Sequence, residues 1–327
     1  MSKNNSLCQY TDESGCQCRE PANDTGFCYW HDKTADKSGD NVKDDFETYV
    51  KSGGLLRGVI LKRANLANID LVNHRKKNGY DFTHADFYRA DLQNAHMFNI
   101  NLTNASLMKA DLRCANLNCA TLQDTNLLGA RWADSKIENI KIGKRLRQEQ
   151  QARQAVKARK NEEAIDLFEQ AEEIYRDLRK HAEHEGIFML AGRFIQKELT
   201  MRRMQLPKYS IKRISSKVVD LFCGYGEAPV RIVGISICMI IVCAFLYLFT
   251  GLNYQGEIHS FNPDATLAEN AKLFLGCLYY SVVTFTTLGY GDFAPIGFSR
   301  AIAAMEAFTG SFTIALFVVV FVKKMTR

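Results

Sequence analysis

The chain has 327 residues, 46% of them hydrophobic and 24% charged, with a formal net charge of +6. Those averages describe an ordinary soluble protein, yet residues 1–231 hold nearly all the charge and the C-terminal third holds long uncharged apolar runs. A wholly soluble chain is therefore excluded, and so is an extracellular disulfide framework, because four of the ten cysteines fall in the first 28 residues and the rest scatter through repeats and apolar helices.

Residues 1–33 read as a leader. They are polar and lack an apolar signal core, so the soluble part is expected to stay in the cytoplasm with reduced thiols. The leader contains Cys8, Cys16, Cys18, Cys28 and His31. The spacing Cys28-Tyr-Trp-His31 makes a close chelating pair, and two more thiolates would close a tetrahedral structural site of three cysteines and one histidine. Five candidates compete for four places. A short polar leader builds little core of its own, which is a physical reason to want a metal. Residues 34–53, rich in Asp, Lys and Ser, read as linker.

Over residues 54–143 an apolar side chain recurs every five positions. The centres are Leu61, Leu66 and Leu71, then one continuous frame from Phe82 through Leu92, Leu107 and Leu122 to Ile142, with a small residue such as Ala90 or Ala110 commonly two places earlier. A period of five matches neither the helix nor the strand, each of which would scatter these residues over its surface. A square coil with one pentad per side points every centre inward. The pattern resembles the pentapeptide-repeat family, A(N/D)LxX, which implies a right-handed quadrilateral β-helix. The frame jumps by one residue between Leu71 and Phe82, which predicts a bulge at residues 74–78.

Between residues 80 and 142 there are seven acidic and six basic side chains. Such a neutral surface argues against the acidic DNA mimicry of some family members, so no nucleic-acid partner is expected. An interaction role, as a docking surface for a cytoplasmic protein or an oligomerisation module, is favoured over a spacer, and no converging pocket suggests an enzyme. The leader in turn resembles small zinc-binding segments found ahead of pentapeptide repeats. That resemblance selects Cys8, Cys18, Cys28 and His31 as ligands of a structural zinc, with Cys16 the spare.

Residues 144–206 change to a helical period. Two apolar stripes broken at Gly186 predict a helical hairpin, similar to a single tetratricopeptide unit. Residues 141–160 carry eight basic groups and one acidic one, and are read as mostly solvated rather than bound to anionic headgroups. Residues 207–227 read as a membrane-proximal amphipathic helix and turn. Ile211, Ile214, Val218, Val219, Leu221 and Phe222 share one side of that helix, and Lys212, Arg213 and Lys217 the other. Gly224-Tyr225-Gly226 is then a turn ahead of Pro229.

Residues 228–327 form the last domain. Spans are predicted at 232–252, without a charge, and at 301–322, with Glu306 alone. Lysine and arginine crowd the segments outside the two spans, ending with Lys323, Lys324 and Arg327, whereas residues 253–300 hold only Lys272 and Arg300. That bias puts both termini in the cytoplasm. Between the spans an apolar stretch, 273–292, closes on Thr284-Phe-Thr-Thr287-Leu288-Gly289-Tyr290-Gly291-Asp292. Non-helical backbone at membrane depth is tolerated where it lines a cavity, and alternate glycines permit successive carbonyls to turn to one side.

Residues 284–292 resemble the selectivity filter of potassium channels, TxxTxGYGD, and the order of span, pore helix, filter and span resembles their two-span pore module. The resemblance implies a homotetramer in which the carbonyls of Thr287, Leu288, Gly289 and Tyr290 and the Thr287 hydroxyl hold potassium ions, with Gly291 completing the loop. Leu288 stands where the family more often has valine, which predicts altered conduction or inactivation rather than lost selectivity. Gly310 is either a bending point of the inner helix or a close-packing residue. Glu306 either tunes ion occupancy behind the filter or hydrogen-bonds the pore helix.

The expectation is a multidomain, non-enzymatic potassium channel subunit in the cell membrane, in contact with lipid, whose repeat domain serves regulation or interaction. A membrane-anchored scaffold with a vestigial pore and a non-selective cation channel are the alternatives.

Overall fold

In the computed structural model, residues 6–39 and 41–326 are described; Arg327 of the charge reading lies outside them, as do the first five residues of the leader. The chain divides into two compact units, Met1–Arg213 and Ile214–Arg327.

The N-terminal unit is organised by its five-residue period. Among the described residues no extended strand runs through residues 54–143. Instead each side of a coil contributes one parallel bridge, pairing residue n with residue n+20 from Asp81↔Asn101 to Thr121↔Lys141. Four pentads therefore make one turn of the coil. Leu107 N–H donates to the Asn126 carbonyl at 2.8 Å and Asn126 N–H to that of Ala105 at 2.9 Å, so each layer satisfies the next. The centres from Leu61 to Leu122 and their alanine partners are buried.

Corners follow from two local devices. The residue two places after a centre turns left-handed, with φ between 55° and 68° from Arg63 to Asn139 except at Asn73, a conformation that Asn and Asp tolerate better than most. The residue just before a centre accepts from the N–H two positions on, as when Asp86 Oδ1 takes Tyr88 N–H at 3.0 Å and Asn116 Oδ1 takes Asn118 N–H at 3.1 Å. The Asp and Asn of the pentads are thus turn-forming groups. The first coil differs: Ile60 pairs with Asp86 and Asp70 with His96, a return after 26 residues. The bulge predicted at 74–78 is part of that six-residue excess.

The predicted linker 34–53 is corrected: it contains a helix, α1 (Val42–Lys51). Val42, Phe46, Tyr49 and Val50 are buried along one face, a helical spacing that the surrounding Asp and Lys hide in composition. Phe46 packs at a tilt against Trp30 at 4.8 Å and approaches Phe82 at 6.1 Å, which closes the first layer of the coil. The two helices expected around Gly186 are preceded by one more. Three helices follow the coil: α2 (Arg147–Lys157), α3 (Asn161–His184) and α4 (Phe188–Gln205). Gly186, with φ 72°, ends α3, and Ile187 N–H returns to the Ala182 carbonyl at 2.8 Å. Glu149 of α2 is fully buried and joins all three helices, accepting from Arg153 at 3.0 Å, Tyr175 at 3.0 Å and Lys197 at 3.2 Å. Part of the basic run 141–160 therefore neutralises this carboxylate.

The C-terminal unit takes up α5 (Ile211–Cys223), which carries the chain across the unit boundary, and a tight turn at Gly224–Gly226 where Tyr225 has φ 57°. Then come α6 (Pro229–Thr250), β1 (Leu252–Tyr254), β2 (Glu257–His259), α7 (Leu267–Phe285), β3 (Phe293–Pro295) and α8 (Ser299–Met325). β1 is central in a small antiparallel sheet of order β2-β1-β3. α6 and α8 are both long and apolar enough to cross a membrane.

Replacing Leu107 by Ala in the middle of the coil should cost about 2–5 kcal/mol. Cys114→Gly, at an exposed left-handed corner, should stay within about 1 kcal/mol of wild type, because relief of the corner offsets the lost rigidity. Denaturation of the purified protein in detergent reads both.

Candidate pore segment and candidate metal centre

α7 starts on a capping box: Thr266 Oγ1 accepts from Glu269 N–H at 3.3 Å while Thr266 N–H donates to Glu269 Oε2 at 2.9 Å. It stops at Phe285, where threonines and glycines replace the apolar run. Thr287 N–H still reaches the Thr284 carbonyl and Leu288 N–H that of Val283, each at 3.0 Å. Beyond them the backbone alternates, with φ 59° at Thr287, 59° at Gly289 and 82° at Gly291. A β-branched residue in that region costs energy and persists where its surroundings hold it. The Thr287 hydroxyl donates to the Thr286 carbonyl at 2.7 Å. Among the described residues, the carbonyls of Thr287, Leu288, Gly289 and Tyr290 accept no hydrogen bond. The side chains of Leu288 and Tyr290 are 58% and 68% exposed.

Glu306 lies on α8 and is 2% exposed. Tyr247 of α6 donates to its Oε2 at 2.6 Å, and Ser281 of α7 bonds its Oε1. Ser281 also lies 2.9 Å from the Ile240 carbonyl of α6. Glu306 therefore bonds α6 and α7, and among the described residues it has no bond to residues 287–291. Neither Tyr247 nor Ser281 was singled out from sequence, although hydroxyls in apolar helices signal that partners are needed. Gly310 is likewise located. A Cβ there would lie 2.1 Å from the Phe285 carbonyl, so α8 meets the end of α7 backbone to backbone. α8 runs through Gly310 without a break. At the other end of α8, Lys323 Nζ pairs with Glu227 Oε1 at 3.0 Å, tying it to the segment that precedes α6. Ser299 Oγ bonds Thr250 Oγ1 and the Gly251 carbonyl, each at 2.7 Å, and joins the ends of α8 and α6.

In the leader, antiparallel bridges Leu7↔Pro21 and Thr11↔Gln17 set Cys8 beside Cys18. Cys8 N–H donates to the Glu20 carbonyl and Cys18 N–H to that of Tyr10, both at 2.9 Å. A tight turn, with His31 N–H on the Cys28 carbonyl at 3.1 Å, brings the remaining pair round. The four ligand atoms of Cys8, Cys18, Cys28 and His31 all lie within 4.8 Å of one another, and all four residues are buried. Cys18 Sγ is 3.8 Å from Cys28 Sγ, while His31 Nδ1 is 3.1 Å from Cys28 Sγ and 3.9 Å from Cys8 Sγ. Cys16 is exposed and outside the group.

The donor set fits a closed tetrahedral site. His31 Nε2 lies 3.0 Å from the Arg57 carbonyl, so it carries the hydrogen and leaves the Nδ1 lone pair facing the thiols. The ring stacks on Tyr10 at 4.1 Å. Burial pushes the Cys28 thiol up to about 12, raises that of Cys18 and lowers His31. Without a cation the pocket favours neutral thiols. A bound divalent ion inverts that preference by coordinating thiolates directly. Arg57, which the sequence did not mark, pairs with Asp12 at 2.9 Å and Asp81 at 2.8 Å and fastens the cluster to the coil.

Two membrane-length helices around a third helix and an irregular segment, on a chain that also carries a five-residue repeat, support a membrane-embedded protein with a separate repeat region. Residues 234–327 match the family described as ion channel, and residues 78–104 and 92–129 match pentapeptide repeats in eight copies. The chain therefore combines an ion-channel family domain with a pentapeptide-repeat region, and the family match is that of a transport protein rather than a catalyst. It is 36% identical over 69 residues to two-pore potassium channel 4 of Arabidopsis thaliana, a match covering 21% of this chain and 24% of the relative, so it spans about a quarter of that relative's length. Among solved structures, HetL, a pentapeptide repeat protein of Nostoc sp. strain PCC 7120, is 27% identical over 25% of this chain and 38% of its own, with a TM-score of 0.16. Rfr23 of Cyanothece 51142 is 27% identical over 26% of this chain and 57% of its own, with a TM-score of 0.15. Superpositions at such scores define no shared fold.

Glu306→Gln keeps a donor and an acceptor in the same place and should leave ion flux within about threefold of wild type, whereas Glu306→Leu strands two buried hydroxyls and should lower it at least tenfold. Gly310→Ala should be as damaging. Flux assays on reconstituted protein, with gel filtration to check assembly, measure all three.

Proposed function

We propose that the chain is the subunit of a homotetrameric, potassium-selective channel through which ions pass passively. The observation that carries this reading is the segment after α7: four successive carbonyls with no hydrogen-bond donor, and positive φ at alternate residues, held between two membrane-length helices. A desolvated cation needs several oxygens in place of its water shell, and one chain offers too few, so several copies must close a ring. The carbonyls of Thr287, Leu288, Gly289 and Tyr290 and the Thr287 hydroxyl line the path, and Gly291 completes it. The outward-facing Leu288 and Tyr290 then pack on neighbouring subunits. The name of the Arabidopsis relative, a potassium channel, supports the choice of ion. In this reading α6 and α8 cross the cell membrane with both termini cytoplasmic, and α5 lies along the inner face. The repeat coil is a right-handed quadrilateral β-helix, available to a cytoplasmic partner.

Liposomes loaded with potassium test the proposal. Flux should follow the potassium gradient with at least a hundredfold preference over sodium. Gly289→Ala, which forces a side chain onto a left-handed residue, should abolish selectivity or conduction. Equal passage of sodium and potassium through a well-folded tetramer would show the assignment to be wrong.

The leader is proposed to hold one structural zinc through Cys8, Cys18, Cys28 and His31. Bound there, zinc supplies a covalent cross-link for a segment with little core of its own. Metal analysis of protein purified under reducing conditions should find one zinc per chain in wild type and in Cys16→Ser. Cys28→Ser and His31→Ala should each lose most of it. A wild-type value near zero rejects the site.

A further inference from the structure

Near the C-terminal end of the first unit a cavity of about 360 Å³ opens between the turn joining α2 to α3 and the loop that follows α4. Its walls are largely apolar, formed by Val156, Ala164, Phe168, Met204 and Leu206, with Ile165 reaching from the cavity to solvent. Two cations, Lys208 and Arg213, line the same cavity, and no carboxylate does. Arg213 donates to neutral acceptors, the Leu206 carbonyl at 2.6 Å and the Met204 sulfur at 3.5 Å. Among the described residues neither cation has an acidic partner.

A hydrocarbon would fill the walls and leave the cations unmatched. A small anion would match the cations and leave the walls empty. A molecule with an anionic head and an apolar tail satisfies both, with the phosphate taken by paired donors of Arg213 and by Lys208. α5 begins two residues before Arg213, and its Ile211, Ile214, Val218 and Leu221 are exposed. That unpartnered face suits a bilayer surface, which supplies such molecules.

We propose that this cavity binds an anionic phospholipid of the adjoining leaflet, one acyl chain among the apolar walls and the phosphate at Lys208 and Arg213. The proposal rests on the reading of the chain as a membrane channel. Lipid bound there holds the loop between α4 and α5, through which any motion of the N-terminal unit must pass on its way to α6.

Binding to the full-length protein in neutral detergent is measured by native mass spectrometry, with phosphatidylglycerol and phosphatidylcholine of identical chains, oleate, and inorganic phosphate. Phosphatidylglycerol should bind at least tenfold more tightly than phosphatidylcholine. Lys208→Gln should weaken it about fivefold, as expected for one surface cation near an anionic headgroup. Ile165→Trp, a change at a partly exposed position that fills the cavity, should weaken it further while zinc content and assembly stay unchanged. Equal affinity for the two phospholipids, or wild-type binding by both variants, overturns the proposal. Tighter binding of oleate or phosphate than of phosphatidylglycerol overturns the choice of lipid. The measurement needs no conduction, so a failed potassium assay and a failed lipid assay are separate results.

Discussion

Every backbone N–H and C=O removed from water needs a partner, and the two units meet that requirement in opposite ways. In the repeat region the coil pairs each layer with the next, at 2.8 and 2.9 Å around Leu107, and the Asp and Asn side chains take corner N–H groups that the layers leave over. Along its sides, among the described residues, that coil leaves no row of free carbonyls. In the C-terminal unit the helices satisfy themselves, and residues 287–290 do not: among the described residues their four successive carbonyls accept nothing. Backbone arranged in that way is costly in an apolar setting unless a cation or water takes the oxygens. The reading of that segment as an ion path follows from the same rule that makes the coil inert.

Holding such a segment requires that the helix before it be fixed. α7 has no long-range backbone pairing of its own, and its position comes from three contacts. Glu306 bonds Tyr247 and Ser281, which joins α8, α6 and α7 through one carboxyl group. Gly310 lets α8 touch the Phe285 carbonyl at the last turn of α7. Tyr247 also meets Tyr280 edge to face at 4.9 Å. A buried carboxyl among apolar helices is expensive, so its retention here is explained by what it aligns: the end of α7, two residues before Thr287.

Much of this was legible in the sequence because the signals were periodic or chemically specific. A period of five has no other simple geometry. Two uncharged runs of about twenty residues have few alternatives. Cys28-x-x-His31 required two further thiolates, and the four residues selected through a family resemblance are those the fold gathers. What stayed hidden depended on contacts distant in sequence. α2 was missed because the residues that Arg147–Lys157 buries are Gln148, Glu149, Ala152 and Ala155, two polar and two small, so no apolar stripe marks its inner face. α1 was hidden by the acidic and basic residues between its four buried ones. The partners of Glu306 lie 25 and 59 residues away, and no local pattern points to them.

The leader and the helices also solve a problem that the repeat creates. A coil of bridges has two open ends, each with unpaired N–H and C=O groups and an exposed apolar layer, and such edges invite pairing with other chains. At the first end, Trp30 supplies a carbonyl to Ile60 N–H at 2.8 Å, and Phe46 covers Phe82. At the last end, Ser135 and His181 bond at 3.0 Å, and Leu146 N–H reaches Tyr175 at 3.3 Å beneath α2 and α3. One hydrophobic core runs without interruption from Cys8 to Met201. The cysteine cluster therefore sits where order is hardest to obtain from packing alone, at the end that must be capped by a segment of mostly polar residues. Four strong ligands around one ion could substitute there for the buried surface that the leader lacks, which would give a bound metal its role in the folding of the cap.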